Sequence, residues 1–343
     1  MMNDRVLVCE ISGKRPGGLK ARPTEYIKTA YDHLIVTNNC DAYETDWDIV
    51  EVPEDYRKWY FDNIKNSENM WYAQMNRSYA IKYAKEHGYR YCIQLDDNIR
   101  MFGIGYIFKL FKDSNLDITK EYRRYKMLSS GGCEWFDDIA GLLVKVLENT
   151  NAGMAGVNLC SAAAPSDEYL KERYVYSVLC IDVKRCPQFF HGDFEDDIEF
   201  RLKLKQMGVP VIQLAFLGYS KVGAREIKDK TGCRAEYDRI GIGRGEHMRK
   251  LYGDLYSCGM SRRPRSVGGH RLEKEMFRHQ LKPFKIGVMV KRKWQIDDAV
   301  RGLLEKYAIN RKPSIVISKG GKRIYKRGGG TINEEDGPTE DTD

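Results

Sequence analysis

Tyr89-Arg90-Tyr91-Cys92-Ile93-Gln94-Leu95-Asp96-Asp97-Asn98 runs from an apolar stretch straight into two acids and an amide. The first seven residues read as a buried strand. Before them, Met70, Tyr72, Met75, Tyr79, Ala80, Tyr83 and Ala84 recur at helical spacing, and His87-Gly88 supplies a stop. A helix feeding a buried strand implies a parallel sheet. The acids then emerge at the carboxyl end of a central strand, where open α/β sheets place their ligands.

The same alternation extends outward in both directions. Residues 5–11 read as a first strand, followed by the loop Ser12-Gly13-Lys14-Arg15-Pro16-Gly17-Gly18. A helical segment near residues 26–31 and strands at 33–37 and 48–52 come next. Downstream, residues 102–131 look irregular, and a helix is predicted over 135–149. Strands at 153–157 and 174–181, a helix over 195–208 and a strand over 209–217 complete the pattern. The fold class predicted is α/β, Rossmann-like, a mostly parallel sheet flanked by helices. A C-terminal piece follows its own pattern, with a strand at 284–290, a helix at 296–307, and strands at 314–317 and 323–325. Lys319-Gly320-Gly321-Lys322 between the last two suits a tight hairpin turn. The expected division is residues 1–260 as the main domain, 261–327 as a small basic α+β appendage, and 328–343 as an acidic disordered tail.

A chain of 343 residues has room for such a domain, and 42% hydrophobic with 31% charged residues is a globular balance that argues against a wholly disordered or fibrous chain. No apolar run approaches the roughly 20 residues a membrane helix needs. The segment Met1-Met2-Asn3-Asp4-Arg5 lacks the order of a signal peptide, so a cytoplasmic protein without a membrane partner is expected. The nine cysteines are odd in number and form no C-x-x-C pair, which favours reduced structural thiols over disulfides or zinc. Charge is uneven. Residues 281–327 carry 14 Lys or Arg against three acids, while residues 328–343 carry six acids and no base. Such a segment suits a polyanion, although a solvated lysine-rich face has the same composition.

Asp96, Asp97 and Asn98 supply the oxygens a hard divalent cation takes, and such a cation neutralises the charge on a departing diphosphate. The plainer alternative is that acids cap a strand at a loop. Gly192-Asp193-Phe194-Glu195-Asp196-Asp197-Ile198-Glu199-Phe200 opens a helix, and the dipole favours acids there. Four acids in five positions exceed that need. Asp197, with Asp196 next, is the candidate general base for an acceptor hydroxyl, a base that a retaining mechanism would not require in that place. Arg77 on the preceding helix, and Ser12 and Arg15 in the first loop, are candidate nucleotide or diphosphate contacts. His191 and His247 are candidate further metal ligands, each equally readable as a structural histidine. Gly241-Ile242-Gly243-Arg244-Gly245 follows no strand and makes no dinucleotide fingerprint.

Ser12-x-x-Arg15 after a strand, then Arg77-Ser78-Tyr79-Ala80-Ile81, Leu95-Asp96-Asp97-Asn98 and Asp196-Asp197-Ile198-Glu199-Phe200, resembles the motif order of GT-A glycosyltransferases. The Asp-Asp-Asn form resembles the TET/JBP-associated glycosyltransferases, which include phage enzymes that act on hydroxymethylated pyrimidines in DNA. The similarity spans about residues 5–260. It implies a GT-A-like sheet, a UDP-sugar donor, Mn²⁺ or Mg²⁺, and 5-hydroxymethylcytosine or 5-hydroxymethyluracil in DNA as acceptor. On that reading Trp135, Tyr174 or Tyr176 would stack on an extruded base. The sequence departs from the GT-A pattern in having no histidine just after the strand ending at Leu217. Two other functions fit the same residues, transfer to a protein or saccharide and non-catalytic nucleic-acid binding on a degenerate fold.

Overall fold

Val6, Val8 and Glu10 alternate with Leu7, Cys9 and Ile11 along the first strand, and all six side chains are buried. A strand hidden on both faces belongs at the centre of a sheet covered by helices on both sides. The computed structural model describes residues 5–13, 23–38, 43, 45–64, 72–105, 125–128, 134–160, 165–166, 168–186, 196–222, 248–250, 252–253, 256, 259–260, 265–267, 270–272, 275–276, 290–307, 314–317, 323–327 and 330–331. Along the chain come β1 (Val6–Ile11), α1 (Pro23–Tyr26), β2 (Asp32–Thr37), β3 (Asp48–Glu51), α2 (Glu54–Asn63), α3 (Tyr72–Glu86), β4 (Tyr91–Asp96) and β5 (Ile99–Ile104). Then follow β6 (Lys126–Leu128), α4 (Glu134–Glu148), β7 (Met154–Leu159), β8 (Leu170–Glu172), β9 (Val178–Asp182), α5 (Asp196–Gln206) and β10 (Val211–Lys221).

These ten strands form one sheet in the order β3-β2-β1-β4-β9-β7-β10-β5-β6, with β8 also paired to β10. Strands β3, β2, β1 and β4 run parallel. Strand β9 is reversed between β4 and β7, and β10 is again parallel to β7. Strands β5 and β8 lie antiparallel to β10. The predicted α/β class, a sheet flanked by helices with its parallel part in β3-β2-β1-β4 and in β7-β10, is therefore the architecture of this chain.

The two faces of the sheet own different cores. Val6, Val8, Ile35, Ile93 and Leu95 pack with Phe136, Ile139 and Leu143 of α4. Leu7, Cys9, Val36 and Cys92 on the opposite face pack with Tyr56 and Tyr60 of α2 and Met75, Ala80 and Ala84 of α3. Period-2 alternation thus assigns each strand residue to its helix layer. In the first core the Phe102 ring lies 5.3 Å from Trp135 and 6.1 Å from Phe136, centroid to centroid. Backbone closes in on Gly156 in β7, where an added Cβ would fall 2.5 Å from the Val178 carbonyl oxygen and 2.7 Å from Val175 Cβ. Gly156→Ala is expected to cost about 1–3 kcal/mol in urea unfolding, because backbone cannot move aside as a side chain can.

The structure differs from the sequence reading at several elements: α2 and β8 fall where none was expected, β5 and β6 reach into the stretch read as irregular, and α1 precedes the helical segment expected at 26–31. The strand expected from residue 174 begins only at Val178, because Ser177 sits at φ 62° and breaks the extended run. Strand β10 continues past Leu217 to Lys221, paired with β5. Two short pairs follow in the chain, β11 (Gly259–Met260) with β14 (Glu275–Met276) and β12 (Arg265–Val267) with β13 (His270–Leu272). After them come α6 (Lys293–Lys306), β15 (Ser314–Ile317), β16 (Arg323–Arg327) and β17 (Gly330–Thr331), the last three forming one antiparallel sheet. The expected 314–325 hairpin is thus paired, while its turn and the strand expected at 284–289 lie outside the described residues. Helix α6, from the segment expected to be an appendage, buries Ile296, Val300, Leu303 and Leu304 in the first core. It is held there also by the Tyr307 hydroxyl, which donates to Asp138 Oδ2 at 2.6 Å. Among the described residues no helix is long and apolar enough to cross a membrane.

Candidate functional site

Alternation along β4 puts Gln94 and Asp96 on the face covered by α3, and α3 turns Arg77 toward them. Arg77 is almost fully buried. Its guanidinium meets Asp96 Oδ1 and donates to Gln94 Oε1 at 3.3 Å, while Gln94 Nε2 donates back to the Arg77 carbonyl at 2.9 Å. The reading of Arg77 as a solvated helix residue is thereby excluded. From the other side, Lys221 Nζ at the end of β10 donates to Asp96 Oδ2 at 2.6 Å. Burial alone would push the Asp96 carboxyl up, but Lys221 and Arg77 outweigh it and hold the group well below the ordinary carboxylate range. Both Asp96 oxygens are therefore engaged by cations of the chain itself.

Asp97 and Asn98 form the turn between β4 and β5. Asp97 is buried and accepts from Ser12 Oγ at 3.1 Å, so the loop after β1 and the turn after β4 meet. Ser12 is placed by three further contacts. The Tyr43 hydroxyl donates to its Oγ at 2.8 Å, Asn76 Nδ2 of α3 donates to its carbonyl at 2.7 Å, and its own N–H donates to Val36 O at 3.1 Å. The Asn98 carbonyl accepts from Val222 N–H at 2.9 Å, whereas its buried side-chain Oδ1 has no hydrogen-bond partner among the described residues. An orphaned amide oxygen is costly unless something coordinates it. Asp97 and Asn98 therefore offer hard oxygen donors that fit Mg²⁺ or Mn²⁺. Among the described residues no group of three His, Cys, Asp or Glu side chains gathers as a closed metal site.

Asp197 lies in the first turn of α5, half-buried. It and Asp96 act on one hydroxyl, that of Tyr219, which is buried in β10. Burial pushes Tyr219 well above its ordinary range. Ser177 and Arg77 pull it the other way, and the charges of Asp96 and Asp197 add to the rise. Burial and then Asp197 likewise raise Tyr176. The two acidic segments, 100 positions apart in sequence, thus both act electrostatically on Tyr219. Asp196 opens α5. Arg15, His191 and His247 lie outside the described residues. Of the aromatics expected to stack on a base, Trp135 and Tyr174 are core residues, only 4% and 8% exposed. Tyr176 is half-buried and stacks on Tyr174 at 6.1 Å.

Lys221, Asn76, Gln94 and Tyr43 were not legible as site residues. The strand before Lys221 outruns its apolar stretch, and the other three act through hydrogen bonds that leave no sequence pattern.

No protein-family model matches the sequence, and comparison with curated proteins returns no match. Among solved structures, the chain is similar to a protein named as a nucleotide-diphospho-sugar transferase from Desulfovibrio desulfuricans G20. That likeness has 12% identity and a TM-score of 0.32, over 68% of this chain and 96% of that one. It is also similar to glucosyl-3-phosphoglycerate synthase from Mycobacterium tuberculosis in complex with Mg²⁺ and UDP. Here identity is 8% and the TM-score 0.35, over 80% of this chain and 88% of that one. Likenesses this distant carry no statement about chemistry, which must come from the residues.

Proposed function

We propose that the chain is a nucleotide-sugar-dependent glycosyltransferase whose donor diphosphate binds at the carboxyl ends of β1, β4 and β10. The observation that carries this reading is the convergence of Ser12, Arg77, Asp96, Asp97, Asn98 and Lys221 at one sheet edge, with Asn98 Oδ1 unpartnered among the described residues. Such an edge is where open α/β sheets bind ligands. A divalent cation, when bound, neutralises charge on the departing diphosphate; Asp97 and Asn98 are the side chains that would hold it. Ser12 fixes Asp97, and Arg77 fixes Asp96. Asp197, whose charge raises the Tyr176 and Tyr219 hydroxyls, is the group that would take a proton from an acceptor hydroxyl, with Asp196 as its neighbour. Arg15 completes the donor loop in this reading.

For the acceptor, the motif resemblance and the basic C-terminal segment support 5-hydroxymethylcytosine or 5-hydroxymethyluracil in DNA. Lys291, Arg292, Lys293 and Trp294 at the start of α6 are all exposed, Trp294 by 63%. Cations of this kind hold phosphates without reading sequence. Incubation of hydroxymethylated DNA with a panel of UDP-sugars and Mg²⁺, followed by nucleoside mass spectrometry, tests both halves. Sugar-dependent mass gain on the modified nucleoside is expected. UDP release without DNA modification would move the acceptor to protein or saccharide, and no UDP release with any acceptor would leave only the nucleic-acid-binding reading. Lys291→Glu/Arg292→Glu is expected to weaken transfer to DNA severalfold, with a flatter salt dependence, while leaving UDP binding unchanged.

A further inference from the structure

Asp96 is met by two cations, and they differ in their access to solvent. The Arg77 side chain is 4% exposed and lies beneath the carboxylate, whereas the Lys221 side chain is 29% exposed and lies at the rim. The position of Lys221 has a local backbone cause. The β10–β5 ladder runs in register through Leu217↔Ile104 and Ser220↔Met101, then slips between Ser220 and Lys221 so that Lys221 faces Ile99. The extra residue is Arg100 on β5, so β10 itself keeps its alternation through Lys221. The next residue is pinned, because Val222 N–H donates to the Asn98 carbonyl at 2.9 Å. Tyr219, two residues earlier on the same strand face, is buried next to Asp96. Strand β10 therefore delivers an ammonium to the Asp96-Asp97-Asn98 turn by running on, in regular alternation, past its apolar stretch.

We propose that Lys221 is a donor-binding residue, a built-in cation that contacts the diphosphate of the nucleotide sugar and lets it bind without a divalent ion. This rests on the donor site proposed above and adds a contact which that proposal does not require. Lysine suits the task as a mobile point charge, whereas the buried Arg77 is committed to Asp96 and Gln94.

The test is calorimetric titration of UDP and of uridine into wild-type protein, Lys221→Met and Lys221→Arg, each in EDTA and in Mg²⁺. Wild type is expected to bind UDP in EDTA. Lys221→Met should bind UDP about tenfold or more weakly there, equivalent to about 1.4 kcal/mol, with uridine affinity unchanged because uridine carries no phosphate. Lys221→Arg should recover most of the loss. Equal loss for UDP and uridine, accompanied by a lowered melting temperature, would make Lys221 a support for Asp96 and overturn the proposal. So would a Lys221→Met protein that binds UDP like wild type. If wild type binds UDP in neither buffer, the donor site itself is wrong and the proposal falls with it.

Discussion

Replacing Asp97 by Asn lowers metal-supported turnover of a UDP-sugar by about 10²–10³-fold, equivalent to about 3–4 kcal/mol of transition-state stabilisation. The substitution is chosen because it removes the charge and little else. The Asn side chain still offers an oxygen to the Ser12 hydroxyl, which donates to Asp97 Oδ2 at 3.1 Å, so the buried turn keeps its contact. The lost quantity is the carboxylate proposed to join the Asn98 oxygen in holding a hard cation. A thermal melt run beside the kinetics should show little change. Full turnover in Asp97→Asn would remove this turn from the chemistry.

The largest effect on stability is expected beneath the site. Arg201 of α5 and Glu172 of β8 form a salt bridge at 2.6 Å, with side chains 3% and 2% exposed. The Arg201 guanidinium also lies over the Tyr174 ring, 4.2 Å from its centroid. Arg201→Met keeps much of the volume but leaves a buried carboxylate without its cation, a change that costs about 3–5 kcal/mol. Guanidinium unfolding measures it directly. The double variant Glu172→Gln/Arg201→Met should recover most of the loss, since the penalty belongs to the stranded charge rather than to the missing pair. A loss in the double variant as large as in the single one would assign the effect to the Tyr174 contact instead. Because α5 also carries Asp197, loosening this pair should lower transfer more than it lowers donor binding.

Much of the sheet is visible in the sequence because its central strands are buried on both faces and read as unbroken apolar runs. The predicted strands at 5–11, 33–37, 48–52 and 89–95 correspond to β1, β2, β3 and β4, and the helices at 70–86 and 135–149 to α3 and α4. Failures arose where backbone geometry overrides side-chain pattern. Ser177 at φ 62° ends a run of β-favouring residues, and only a tertiary contact, its carbonyl accepting the Asp96 N–H at 2.9 Å, accounts for the position. Helix α2 passed unnoticed because its exposed Trp59 and charged residues blur the apolar stripe around Tyr56 and Tyr60.

The Asp96-Asp97-Asn98 trio was legible from its place at a strand end, but the division of labour within it was not. Which acid faces Arg77 depends on the parity of β4, and which faces Ser12 depends on the turn. Lys221 was hidden by a further effect. An apolar run stopping at Leu217 suggests a strand ending there, whereas pairing with β5 carries β10 onward through polar residues.

The most direct test of the donor site is the affinity of UDP for wild type and Asp97→Asn, measured by calorimetry with and without Mg²⁺. The account predicts that wild type binds UDP and binds it more tightly with Mg²⁺, and that Asp97→Asn loses the Mg²⁺ increment while retaining the metal-free affinity. A wild-type chain indifferent to UDP, or a Mg²⁺ increment that survives in Asp97→Asn, would contradict it.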